Sequence, residues 1–406
     1  MESLLSLPLE ITHQILTQLT GPDPEPRNIL SEDQTGWSHN DRLSLGLSSM
    51  AKLSRTCRQL HAAIEPRLYR SVHIPQAGVP QLLSLLKSWS SLPHRVEYTQ
   101  RLFIKAKQHS NDIYREAIAD QDIIFVSTLV EDLGLQLRSD WHEFAWRVDV
   151  LTELVMFVAR NAQWMDISFI PKRGIYRGSF DWLSDPNTDI SRIRFDNLRH
   201  LRLFQQGRLT MDEIQPVINR SSGLQSLYLD TIHFTGHHNR LPASLTALYL
   251  SRCSISPSIF RSLTTDLNKL RDLEYDISGR PRQMVLMMEA ISEHKRTLKS
   301  LLMYFHLDSE LEVDMPLYAL DNLESLTTDL QSFGLGGGSR LMALLPASLR
   351  ELRVVPFISG HPRRQLELFA TELRAREELT CTELIVHIDG QDSKFDYHRV
   401  LNSFAE

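Results

Sequence analysis

The chain of 406 residues has little cysteine: only Cys57, Cys253 and Cys381. They lie too far apart for a CxxC redox pair or a zinc knuckle, and a secreted protein of this size would carry several disulfides, so a reducing compartment is expected, cytosol or nucleus. Long apolar runs are missing too. The densest, Leu154 to Ala159, covers six residues, far below the roughly twenty that cross a bilayer. The start, MESLLSLPLE, has no basic n-region, and Pro8 breaks its apolar run before signal-peptide length. No membrane association is expected. Positive charge is not in excess: 44 Lys and Arg against 50 Asp and Glu leave a net charge of -6. The basic residues are scattered rather than striped, which argues against nucleic acid as a ligand.

Catalytic signatures are equally scarce. The sequence has no GxSxG elbow, no HExxH helix and no kinase set, so nothing pairs a nucleophile with a base at defined spacing. Three histidines crowd into HFTGHH, His233 to His238, but no second ligand pair closes a zinc site. GLGGGS, Gly334 to Ser339, lacks the third glycine of GxGxxG and the GK[ST] of a phosphate loop, and reads as a turn. The expectation is a non-enzymatic chain without cofactor or metal.

Apolar material is plentiful: 42% of residues are hydrophobic and 23% charged, enough for a sizeable core. In LPLEITHQIL, residues 7 to 16, Pro8 suits the first turn of a helix and Glu10 suits its positive end. Ile11, Ile15 and Leu19 recur every four residues, beside Leu9 and Leu16. Residues 21–40, rich in Pro, Gly and acids, read as a flexible insertion. Helical spacing resumes with Asp41 as N-cap and Leu43, Leu47, Met50, Cys57, Leu60 and Ile64 on one face. Pro66 is expected to end that helix, and LYRSVHI, Leu68 to Ile74, alternates like a strand.

The pattern LPLEITHQIL…LSRTCRQLHAAIEPRLYRSVHI resembles an F-box of the fungal type, in its Leu-Pro-x-Glu-Ile start, its Ile-Leu pair and its later Cys-Arg followed by leucine. It departs from that family in the length and acidity of residues 21–40. The resemblance implies docking on the Skp adaptor of a cullin-RING ubiquitin ligase. By position it assigns that contact to Leu7, Pro8, Ile11, Ile15 and Leu16, and to Leu53, Cys57, Arg58 and Leu60. Read from spacing alone, the same residues would form a small helical bundle.

From residue 198 onward LxxLxL recurs, starting at Leu198, Leu224, Leu245, Leu270, Leu298, Leu323 and Leu349, at intervals of 26, 21, 25, 28, 25 and 26 residues. Such intervals match leucine-rich repeats, each giving a strand and a return segment whose leucines bury only against their neighbours. Weaker copies start at Thr99, Ala162 and Cys381. Cys253, three residues after Leu250, falls where these repeats place a buried Asn or Cys. Met284, Met287, Met288 and Ile291 share one helical face and read as core.

The expected fold is therefore α/β: an N-terminal helical F-box over 1–70, then a leucine-rich-repeat solenoid over 71–406, a curved parallel sheet with outer helices, irregular over about 105–195. The strand face opposite the leucines offers candidate substrate contacts in Arg202, Phe204, Tyr228, Asp230, Tyr249, Asp272, Glu274, Asp276, Tyr304 and Asp329. Aromatics and acids together suit a protein partner with a basic, partly apolar segment. The acids could equally be a solvated face, with the partner held at a loop or at the end of the repeats. The function expected is a substrate adaptor of a ubiquitin ligase. The alternatives are a repeat scaffold without ligase, or an enzyme whose catalytic group sits within 105–162.

Overall fold

The computed structural model describes residues 48–106, 119–135, 148–169, 193–234, 239–277, 281–305, 317–329, 345–355, 383–388 and 391–395. Residues Leu7 to Leu16, Asp41, Leu43, Leu47 and Cys381, the GLGGGS stretch and four residues of HFTGHH (235–238) lie outside them. The chain divides into two compact units, Met1–Leu133 with Leu137–Ile167, and Gly134–Gln136 with Ser168–Glu406.

In the first unit a helical stretch over 48–54 precedes α1 (Arg58–Leu68), and Met50, Leu60 and Ile64 close a small core against which Leu53, Cys57 and Leu68 pack. Cys57 caps α1: its backbone is extended and its Sγ accepts a hydrogen bond from Leu60 N at 3.4 Å. Pro66 does not end the helix, contrary to the sequence expectation. In the last turn a proline removes only one backbone bond, and Leu68 is still held by the apolar cluster. The strand that follows accordingly starts late, as β1 (Ser71–Ala77).

After β1 come α2 (Val79–Ser91), α3 (His94–Tyr98) and β2 (Arg101–Ala106). Next are α4 (Asp120–Asp132), α5 (Val148–Val158) and β3 (Trp164–Phe169). The three strands lie in chain order, and β1 and β2 pair in parallel with Val72 beside Leu102 and Ile74 beside Ile104. Helices α2 and α5 pack on each other; α2 buries Leu82, Leu86 and Trp89 among others, and α5 is buried at every residue from Val150 to Phe157. The weak repeat copies are thus real strands: Thr99 and Ala162, in the place of the first leucine, are buried, and β2 and β3 follow them.

One carboxylate ties α1 to α3 and, through Arg95, to α2. Glu65 on α1 accepts a hydrogen bond from Arg95 Nε at 2.9 Å and has His94 Nε2 and His61 Nε2 at 3.4 and 3.6 Å. Arg95 also donates to Ser88 Oγ on α2 at 2.8 Å and lies 4.6 Å over the Tyr69 ring. Burial pushes the Glu65 carboxyl up, but the hydrogen bonds from Arg95 and His94 and the attraction of Arg95 and His61 outweigh it and hold the group below its ordinary 4.5. A lowered native value contributes stability above the unfolded pKa that is lost as pH falls through the folded one. Glu65→Gln should therefore cost about 1.5–3 kcal/mol near neutrality. The variant should also lose less additional stability below pH ~4.5 than the wild type, as urea midpoints measured across that range would show.

The second unit is built from one repeated step. Its elements are β4 (His200–Thr210), α6 (Met211–Asn219), β5 (Ser226–His233), β6 (Ala247–Ser251) and α7 (Pro257–Thr264). They continue with β7 (Asp272–Ile277), α8 (Pro281–Ser292), β8 (Ser300–Phe305), β9 (Ser325–Asp329), β10 (Glu351–Val355), β11 (Glu383–Ile388) and β12 (Gln391–Phe395). Strands β4 to β11 run parallel in chain order, and β12 closes antiparallel on β11. Helix starts use local signals: Glu213 takes the Thr210 N–H at 2.7 Å, and Ser256 Oγ accepts from Ile259 N ahead of Pro257.

In-register pairing aligns Leu201, Leu227, Leu248, Leu273, Leu301, Leu326, Leu352 and Leu384 as one row. The seven leucines from Leu198 to Leu349 that open each motif are 0% exposed. Because each strand buries its leucines only against the next, the core is a continuous layer rather than a set of separate ones. Backbone bonding repeats with it. The carbonyls of Arg199, Gln225, Thr246, Arg271, Lys299 and Glu324 each accept two successive N–H groups from the next strand at 2.7–3.1 Å, and those of Arg70 and Gln100 do the same in the first unit.

Candidate binding face of the second unit

Cys253 is buried and its one S–H, with Sγ 3.3 Å from the carbonyl oxygens of both Leu229 on β5 and Ser251 on β6, is shared between these strand carbonyls inside the repeat, the structural role its spacing implied. Of the methionine face on α8, Met287, Met288 and Ile291 are buried as expected. The side chain of Met284 lies outside the described residues.

On the strand face opposite the leucines, register places the candidates in two rows. Arg202, Tyr228, Tyr249 and Glu274 stand side by side on β4 to β7, and Phe204 stands beside Asp230. The structure thus brings Arg202, Phe204, Tyr228, Asp230, Tyr249 and Glu274 together, with half-buried Asp272 two residues from Glu274 on β7. Asp276, Tyr304 and Asp329 are on strands β7, β8 and β9, and their side chains lie outside the described residues.

Within this cluster the arginines are stacked. Arg202 lies 4.4 Å over the Tyr228 ring, and Tyr228 stacks on Tyr249 with centroids 6.0 Å apart and planes 26° apart. The column covers its own centre: Tyr228 is 5% and Asp230 4% exposed. Tyr228, expected as an aromatic anchor, and Asp230, expected among the acids of the outward face, are thus covered rather than exposed. Asp230 is neutralised by Arg252, whose Nε donates to Oδ1 at 2.9 Å and whose Nη2 donates to Oδ2 at 2.6 Å, while Thr231 Oγ1 donates to Oδ1 at 2.8 Å. The Arg252 guanidinium also lies 5.6 Å over Phe204.

Sequence periodicity missed Arg252 because it lies one residue beyond β6. Its backbone decides its role: Arg252 has φ 50° and Thr231 has φ 60°, the two positive-φ non-glycine residues among those described. With Asp230 in register with Ser251, these two occupy the same place in successive repeats. Left-handed backbone at a β-branched residue costs of order 1–3 kcal/mol and persists only where surrounding contacts enforce it. Here both left-handed residues aim donors at one buried carboxylate. The signal available in the sequence was the repeat of 21 residues between Leu224 and Leu245, which aligns Thr231 with Arg252.

Of the residues assigned to adaptor docking, Leu60 is buried in the small core, Leu53 and Cys57 pack half-buried on it, and Arg58 is exposed. Leu7, Pro8, Ile11, Ile15 and Leu16 lie outside the described residues. Among the described residues no group of three or more His, Cys, Asp or Glu side chains is placed to hold a metal ion, and no helix is long and apolar enough to cross a membrane. The chain matches no family model and no curated protein sequence.

Proposed function

We propose that this chain is the substrate-recognition adaptor of a Skp/cullin/F-box ubiquitin ligase: an N-terminal helical F-box that docks on the Skp adaptor, followed by a leucine-rich-repeat solenoid that holds a protein substrate. The observation that carries the reading is the single-register leucine row from Leu201 to Leu384, the packing that stacked leucine-rich units require. The F-box resemblance of residues 7–16 and 53–60 supplies the other end. The helical cluster around Met50, Leu60 and Ile64, immediately ahead of β1, suits a small docking module. Such a protein works by proximity in the cytoplasm or nucleus, holding substrate lysines near a ubiquitin carrier while the chemistry occurs on other subunits.

Co-elution with purified Skp adaptor tests it. Wild type should co-elute, and Leu7→Asp combined with Pro8→Ala should weaken binding at least tenfold, since burying one large apolar anchor contributes about 1.5–3 kcal/mol. No co-elution of the wild type, or unchanged co-elution of the double variant, would favour a leucine-rich-repeat scaffold outside any ligase.

A further inference from the structure

The loops that enter β7 and β8 carry positive charge that their own acids do not compensate. Residues 265–271 include Lys269 and Arg271, residues 293–299 include Lys295, Arg296 and Lys299, and all five are exposed. The acids of these loops are already engaged: Asp266 lies 3.9 Å from Arg240, and Glu293 pairs with Arg261 at 2.6 Å. In the next loop Glu324 takes Lys299 at 2.6 Å. The Lys299 hydrogen bond, with the charges of Lys299 and Arg350 behind it, outweighs desolvation and holds the Glu324 carboxyl below its ordinary 4.5. Among the described residues, Lys269, Arg271, Lys295 and Arg296 have no ion pair or side-chain hydrogen bond, and neither has exposed Asp321.

The loops are stacked, so these charges are held in place. The Arg271 carbonyl accepts the N–H groups of Lys299 and Ser300 at 2.8 and 2.9 Å, which sets the loops one strand spacing, about 4.8 Å, apart there. Buried His294 of the second loop faces the Leu267 carbonyl of the first, with Nδ1 at 3.1 Å. Burial lowers its pKa against the opposing pull of that carbonyl and of Glu293, so the ring is neutral and Nδ1–H is the donor. On the other side Asn322 Nδ2 donates to the Arg296 carbonyl at 2.8 Å.

We propose that Lys269, Arg271, Lys295 and Arg296 form a docking surface for an acidic segment of a protein partner, a run of Asp or Glu side chains lying across the two loops. Cations spread over adjacent loops meet several separate carboxylates, whereas a single phosphate is held by donors that converge on one point. Neither loop carries Phe, Tyr or Trp, so nucleic-acid bases find no ring to stack on and a lipid interface finds no aromatic anchor. The whole chain has a net charge of -6, so this patch is a local reversal of sign that draws in an acidic segment the rest of the surface repels. The inference goes beyond the ligase reading and does not depend on it.

The test titrates full-length protein into fluorescein-labelled hexaglutamate and reads anisotropy at about 50 and about 300 mM salt. Binding should saturate at the lower salt and weaken at least about tenfold at the higher, as screening of exposed charges requires. Lys269→Glu with Arg296→Glu should weaken it at least about tenfold at the lower salt, since two attractions become two repulsions. The melting temperature should not change, because neither side chain has a partner to lose. Lys52→Glu with Arg55→Glu, the same change of net charge at exposed residues of the first unit, should weaken binding less than about twofold. No saturable binding, equal losses in the two charge-reversal pairs, or self-association that Lys269→Glu with Arg296→Glu abolishes would overturn the proposal. So would binding about tenfold tighter, in place of hexaglutamate, by a singly phosphorylated peptide, a single-stranded oligonucleotide or phosphatidylserine vesicles. A chain that co-elutes with the Skp adaptor but ignores hexaglutamate loses only this inference. A chain that binds hexaglutamate without the adaptor loses only the ligase reading.

Discussion

Leu248→Ala should lower the stability of the second unit by about 2–5 kcal/mol, the range for a fully buried leucine whose site cannot collapse. Leu248 is 0% exposed and lies in register between Leu227 and Leu273, which are themselves fixed by their own neighbours. The strand spacing is set by backbone hydrogen bonds, so neither neighbour can move in to fill the space. Leu302, on the opposite face beside Glu274 and half-buried, is the contrast. Leu302→Ala should cost less than about 1 kcal/mol. Urea denaturation of both variants decides it, and equal midpoints would mean that the leucine layer is not the core of this unit.

Arg252→Ala should destabilise the protein by about 1–3 kcal/mol. Removing one partner of a fully buried ion pair costs about 3–5 kcal/mol because the other charge is left stranded. Here the loss is smaller, since the Arg252 side chain is 58% exposed while that of Asp230 is 6% exposed, and water can reach part of the vacated space. The mechanism makes a further claim about the double variant. If the stranded Asp230 carboxylate causes the loss, Arg252→Ala with Asp230→Ala should be no less stable than Arg252→Ala alone. An additive loss in the cycle would instead assign the effect to the packing of Arg252 on Phe204.

Much of the repeat architecture was readable because it depends on local spacing. Each LxxLxL places two leucines on one side of a strand and one in the turn before it, and that alternation holds wherever the strand forms. Even the weak copies at Thr99 and Ala162 lead into β2 and β3, since only the side chain's size, not the pattern, had changed. Pro66 was misread because proline is disfavoured in a helix by local sterics, and the apolar cluster holding Leu68 is not local. The burial of Tyr228 and Asp230 was not legible for a related reason: alternation tells which way a side chain leaves the strand, not what lies on top of it.

By itself the sequence determined the α/β class, the leucine layer, the structural role of Cys253 and, among the described residues, the order of side chains along the opposite strand face, all consequences of period and register. Only the tertiary structure decided which of those residues are accessible. Two residues with left-handed backbone, Thr231 within β5 and Arg252 just after β6, bring donors from adjacent repeats onto one carboxylate, and the stacked arginines cover the ring and the charge beneath them. A turn's handedness and a side chain's reach across strands are set by contacts between residues some twenty positions apart, which no local pattern encodes.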